Sequence, residues 1–173
     1  MAECVELRRH TDNDGDALTS EGVRAAVEIG RGLAGGYVLL VSSGAQRATQ
    51  TLACLVAGLG ERVGGGAIVE PGLRSEHEDR WRELFRQAGS GALDAMRRVD
   101  AAFVDDEAAR LGDALRRVLA ILPEGGRALA VGHSPTNEAA VLGLTGQVVA
   151  PLAKGAGVLV VDDDERFRLE PAN

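Results

Sequence analysis

The sequence predicts a three-layer α/β domain, a largely parallel sheet with helices on both faces, and three observations carry that prediction. Short apolar runs of strand length alternate with longer segments whose apolar residues recur at helical spacing. Three of the strand runs pass directly into a helix start. The length, 173 residues, fits one domain over 1–173 with one sizeable aliphatic core.

Cys4 to Arg9 reads as the first strand. The polar turn Asp12 to Asp16 leads into a helix over Thr19 to Ala34, whose apolar stripe is Val23, Ala26, Val27, Gly30, Leu33 and Ala34. Tyr37 to Val41 is a continuous run of the buried-strand kind, followed by a helix from near Ala45 with Ala48, Leu52, Leu55 and Val56 inward. Ala67 to Glu70 is a short third strand that Pro71-Gly72 ends in a turn. The charge-rich stretch Arg74 to Arg98 predicts one amphipathic helix with Trp81, Leu84, Phe85 and Ala88 on its apolar face, forming a short cap within 71–100. Asp106 to Leu122 is a long helix with Leu111, Leu115, Val118, Leu119 and Leu122 as its stripe, stopped by Pro123 to Gly126. Arg127 to Gly132 is a strand ending at His133, where Ser134 reads as an N-cap and Pro135 as a first-turn proline. Val158 to Val161 and Phe167 to Leu169 close the sheet, with Asp162 to Glu165 as a hairpin tip.

Basic residues number 19 against 26 acidic ones, a formal charge of -7, which argues against nucleic acid or an anionic membrane as partner. An anionic substrate therefore needs a local basic pocket. After Met1 there is neither a positive segment nor a long apolar run, so neither a secretion signal nor a membrane span is expected and the expected setting is cytoplasmic. Cys4 and Cys54 lack metal-ligand spacing and read as buried free thiols. The run Asp12 to Asp16 begins like a calcium loop, but Ala17 and Val23 stand where glycine and the bidentate glutamate belong, so it reads as a solvated turn. Gly64 to Gly66 lacks a Lys-Ser/Thr ending and reads as a flexible connection.

Ligands of open α/β sheets bind beyond the carboxyl ends of the strands. The three strand-to-helix junctions each bring a basic group there: Arg9-His10-Thr11, then Ser42-Ser43 with Arg47, then Gly132-His133-Ser134. Helix N-termini at the second and third junctions add backbone N–H groups and positive dipole ends. Together these make an anion pocket suited to phosphate.

Four ordered blocks, spanning about Val5 to Leu144, resemble the histidine phosphatase superfamily, also called phosphoglycerate mutase-like. Arg9-His10-Thr11 is similar to its Arg-His-Gly signature, and Leu18 to Gly22 to its Leu-Thr-x-x-Gly helix start. Ser42 to Thr51 is similar to its Ser-Ser-x-x-x-Arg-x-x-Gln-Thr segment, and Val131 to Ser134 to the block of its second histidine. The short chain looks like the phosphatase branch that includes phosphohistidine phosphatases. The resemblance implies the phosphoglycerate mutase-like fold and a phosphatase that works through a phosphohistidine on His10 and requires no metal or cofactor. The substrate implied is a phosphorylated small molecule or phosphoprotein.

Chemistry supports those residue types. A neutral His10 imidazole can attack phosphorus, and the charges of Arg9 and Arg47 disfavour its protonated form. Arg9, Arg47 and His133, with Ser134 as a further phosphate contact, would stabilise the equatorial oxygens. A carboxylic acid must protonate the leaving alkoxide and then activate water. The family's acid follows the third strand in a Leu-x-Glu context; here Leu73-Arg74-Ser75 displaces it, leaving Glu76 as first choice and Glu78 as second. Thr11 replaces the usual glycine, and Asp16 the usual asparagine near the phosphate, so Asp16 is expected to point away or the entrance to differ.

Several residues take plainer readings. Strand alternation sends Arg8 opposite to Arg9, to a solvated or ion-paired place. His77 reads as an exposed cap residue, and Trp81 and Phe85 as cap packing. Alternatives to hydrolysis are a phosphoglycerate mutase-type phosphotransferase, a non-catalytic phosphate-binding module and a metal-dependent hydrolase using the acidic loop.

Overall fold

The computed structural model describes residues 2–163 and 166–172. Its centre is a six-stranded sheet in the order β5 (Ala67–Val69), β4 (Leu39–Ser42), β6 (Arg127–Gly132), β1 (Glu3–Arg9), β7 (Gly157–Asp162) and β8 (Phe167–Pro171). The first four run parallel, and β7 and β8 join antiparallel at the β1 edge. A two-stranded hairpin, β2 (Asn13–Asp14) with β3 (Ala17–Leu18), occupies the polar turn after β1. The Asp164-Glu165 tip expected between β7 and β8 lies outside the described residues.

Both faces of the sheet are covered, as the continuous apolar strands require. Along β6, Ala128 and Ala130 face α5 (Ala101–Ala120) and α6 (Thr136–Thr145), where Leu111, Leu115 and Val141 pack. Leu129 and Val131 face the other way, toward α1 (Ser20–Arg31) and α2 (Gln46–Leu59), against Leu52 and Leu55. On β1 the same alternation sends Val5 and Leu7 into the first layer. Glu6 is buried too, and its carboxylate accepts from Arg8 Nε at 2.7 Å, Tyr37 Oη at 2.6 Å and Arg127 Nη2 at 2.5 Å. Arg8 is therefore ion-paired as expected, but buried rather than solvated.

Local chemistry sets the ends of several elements. Thr19 caps α1, its hydroxyl accepting from Gly22 N–H at 3.0 Å. The expected single cap helix is two, α3 (Glu78–Ala88) and α4 (Leu93–Val99), because Gly89 takes a left-handed conformation at φ 63° and ends α3. The long helix begins five residues earlier than the apolar stripe indicates, because Asp100 caps it by accepting from Phe103 N–H at 3.1 Å. Ser134 is not an N-cap: its hydroxyl donates to Glu138 at 2.5 Å, the Ser134-Pro135 peptide is cis, and α6 starts at Thr136. Cys4 and Cys54 are half-buried free thiols rather than fully buried ones. Among the described residues no helix is long and apolar enough to cross a membrane.

Helices α5 and α6 pack through glycine. A Cβ at Gly143 would lie 1.7 Å from the Ala108 carbonyl oxygen, and one at Gly112 would lie 2.6 Å from the Gly143 carbonyl carbon. Gly143→Ala is expected to destabilise the fold by about 2–3 kcal/mol through overpacking. Gly64→Ala, at a position with nothing within 4 Å, serves as the neutral control. Urea unfolding of the two variants checks the contrast.

Candidate active site

The parallel ladders end together, and that brings the three predicted junctions into one place. Past the strand ends, His10 N–H donates to Gly132 O at 3.0 Å and Ser43 N–H to Val131 O at 3.1 Å. The His10 and His133 rings consequently lie 5.4 Å apart, centroid to centroid, tilted by 59°. Asn137, buried in the first turn of α6, fastens the arrangement: its Nδ2 donates to Arg8 O at 3.0 Å and its Oδ1 accepts from His133 N–H at 3.2 Å.

His10 is 6% exposed, and its Nδ1 lies 2.8 Å from the Thr11 carbonyl oxygen. A carbonyl can only accept, so that contact assigns the proton to Nδ1 and leaves the lone pair on Nε2. Burial lowers the His10 pKa to about 4; the Thr11 carbonyl opposes this, and the Arg47, Arg9 and Lys154 charges reinforce it. His133 is held to about 3 by burial, Arg47, His10 and Arg74, and its Nε2 shares a 2.8 Å hydrogen bond with the Ser43 hydroxyl. Both imidazoles are thus neutral near pH 7.

Around them the cations converge. Arg9, Arg47, Arg74, Arg82 and Lys154 line a mouth of about 500 Å³ together with His10. Arg9 Nη1 donates to Leu152 O at 2.8 Å, which orients its guanidinium. Asp16 does not point away: it lines the mouth and accepts from Arg47 Nη1 at 2.6 Å and from Gln46 N–H at 3.2 Å. An anion entering this mouth would therefore compete with Asp16 for Arg47. Thr11 fits without a glycine because its side chain turns toward α1, donating to Gly22 O at 2.8 Å.

Of the two candidate acids, Glu78 lies against the arginines of the mouth, whereas Glu76 is exposed. Buried Ser75 donates to Glu107 and accepts from His77 N–H at 2.9 Å, which pins the turn and leaves Glu76 exposed on a broad cleft that Arg74, Glu78 and Arg82 also line. Glu78, in the first turn of α3, lies 3.7 Å from Arg47 Nη2, 2.7 Å from Arg74 Nε and 3.6 Å from Arg82 Nη2. His77 is exposed. Ser134 lines a narrow slot beside His133, its hydroxyl committed to Glu138.

Sequence reasoning missed Asn137, Arg74, Arg82 and Lys154. The signal for Lys154 is that it is the only lysine in the chain. Its ammonium reaches Asp12 at 2.6 Å and Asn13 at 3.2 Å, tying the acidic hairpin to the mouth. Among the described residues no three His, Cys, Asp or Glu side chains converge where a metal ion could be held.

This architecture is the phosphoglycerate mutase-like fold, as the ordered sequence blocks imply. A mycobacterial glucosyl-3-phosphoglycerate phosphatase is similar at 22% identity over 100% of this chain and 99% of that one, with a TM-score of 0.74. An Entamoeba histolytica phosphoserine phosphatase in complex with 3-phosphoglyceric acid shares 16% identity over 99% and 96%, with a TM-score of 0.73. A phosphoglycerate mutase of Bacillus anthracis shares 17% over 99% and 92%, with a TM-score of 0.72. No family model and no curated protein sequence matches the chain.

Neutral histidines have a measurable signature. In an NMR titration of the free protein, the ring C2 protons of His10 and His133 should keep neutral-form shifts down to pH 5. The unfolded chain takes up protons on these rings near about pH 6.5 and the folded one does not, so stability should decline as pH falls from there toward about 4. Unfolding midpoints measured across that window check the sign.

Proposed function

We propose that the chain is a phosphatase that transfers a phosphoryl group to His10 and then to water, with a phosphomonoester or phosphohistidine as substrate. One observation carries this reading: a buried, neutral imidazole with its Nε2 uncommitted, lining one mouth with Arg9 and Arg47 and with the His133 ring 5.4 Å away. The similar proteins named as phosphatases lend support, and their names point to phosphorylated small molecules.

The reaction on this reading has two steps. His10 Nε2 attacks phosphorus while the bond to the leaving oxygen breaks. Arg9, Arg47 and His133 stabilise the charge that spreads over the equatorial oxygens. Glu78, an ion-paired carboxylate in the free protein, takes up a proton as the bound phosphate displaces it from the arginines and gives that proton to the departing alkoxide. It then takes one from the water that attacks the phosphohistidine, releasing inorganic phosphate and restoring both residues. Glu78 is preferred to Glu76 because of its contacts with Arg47 and Arg74. The helices within 71–100 serve as the cap that carries this acid.

His10→Ala should lower turnover of an aryl phosphate by about three orders of magnitude or more. The label trapped from a radioactive substrate should be acid-labile and on histidine, and turnover should be unaffected by chelator. Near-normal activity of the variant would remove the nucleophile assignment. Glu78→Gln should slow the first transfer step from alkyl phosphates by about a hundredfold, while nitrophenyl phosphate, which needs no proton on departure, is barely slowed in that step. Glu76→Gln should leave both unchanged. Burst kinetics with the two substrate types separates the steps.

A further inference from the structure

Beside the cationic mouth lies a second cavity with a different character. It is a slot of about 200 Å³ lined by Trp81, Phe85 and Pro135 together with polar and charged side chains that include Arg47, Arg82 and His133. Trp81 and Phe85 are four residues apart on α3 and so share one face of the helix. Trp81 is buried and fixed, its Nε1 donating to Glu107 at 3.2 Å and its ring packed edge-on to Phe103 at 5.1 Å. Phe85 is not cap packing, as the sequence led us to expect: it is 53% exposed and borders the slot.

The slot touches the proposed phosphate pocket at a chemically defined place. Arg47 and His133 line it and His10 does not. An in-line transfer places the leaving oxygen on the side of phosphorus opposite the attacking Nε2. Glu78, the proton donor proposed above, also lines this slot. A leaving group held there would have its oxygen next to the acid and its body between Trp81, Phe85 and Pro135. An apolar cavity of about 150 Å³ accommodates benzene, so this slot has room for one ring or a branched alkyl group of similar size.

We infer that the slot formed by Trp81, Phe85 and Pro135 is the leaving-group subsite, and that it selects monophosphates whose alcohol carries a compact apolar body, a single aromatic ring or branched alkyl chain. The inference rests on the phosphatase reading for the position of phosphorus. Phe85 is the specificity-determining wall, because it is exposed in the free protein and loses apolar surface to water only when such a group is bound.

A binding experiment tests the subsite without requiring turnover. Trp81 is the only tryptophan, so its fluorescence reports on the slot directly. Titration with benzylphosphonate and methylphosphonate, which share the phosphonate head, should give about tenfold tighter binding for the benzyl compound. That preference should vanish in Phe85→Ala and largely return in Phe85→Leu, with methylphosphonate affinity within about twofold throughout. Equal affinities of the two ligands for the wild-type protein, or an undiminished benzyl preference in Phe85→Ala, would overturn the subsite while leaving the phosphate pocket standing. Failure of both phosphonates to bind would overturn the subsite and the phosphate pocket together.

Discussion

The parallel ladder that joins β1, β6 and β4 is the constraint on which the site depends. Its register pairs Arg9 with Gly132 and Ser42 with Val131, so the three strands stop at one level. Their next residues are His10, His133 and Ser43, and the backbone bonds that continue the ladder deliver them side by side. A slip of one residue on β1 would turn His10 to the other face of the sheet and send Glu6 into the aliphatic layer. The burial of Glu6 among Arg8, Tyr37 and Arg127 opposes such a slip, because an unpaired buried carboxylate is costly. A buried ion cluster outside the mouth thus helps set the position of His10.

Electrostatics at the site sets an acidic protein against the anionic ligand proposed for it. The net charge is -7, yet Arg9, Arg47, Arg74, Arg82 and Lys154 gather at one mouth. In the free protein several of these cations are held by carboxylates: Arg47 by Asp16, Arg74 by Glu78, and Lys154 by Asp12. These pairs keep the guanidinium groups ordered and limit their mutual repulsion. They also set a threshold, since a ligand must offer more than the carboxylates do. A phosphate dianion with three equatorial oxygens can engage several donors at once, which a single carboxylate cannot.

The segment proposed as a cap carries both the proposed acid and the proposed slot wall. Its first helix carries Glu78 toward the arginines and Trp81 and Phe85 toward the slot, three side chains on one face of α3. Arg80 joins that helix to Asp100 at 2.5 Å, and Trp81 joins it to Phe103, so the acid and the apolar wall are positioned by the same docking onto α5. The proton delivery and leaving-group fit proposed for this protein would in this way be coupled through one helix.

The sequence by itself determined the α/β alternation, the strand Arg127–Gly132 to the residue, and the meeting of His10, Arg9, Arg47 and His133. These are legible because strand-length apolar runs, helical stripes and the residues that follow a strand end are local properties, and the parallel sheet converts strand ends into neighbours. Only the tertiary structure set Glu78, and not Glu76, against Arg47 and Arg74, where buried Ser75 bonds to Glu107, a residue 32 positions away. It also decided that Asp16 holds Arg47, that Lys154 reaches the mouth from before β7, and that Asn137 ties two strand ends together. Likewise Phe85 reads as packing from its spacing on the helix, yet stands exposed because the elements docked on α3 bury Trp81 and Leu84 and leave its own position open. Contacts between residues distant in sequence depend on how elements dock, and no local pattern of charge or hydrophobicity encodes that.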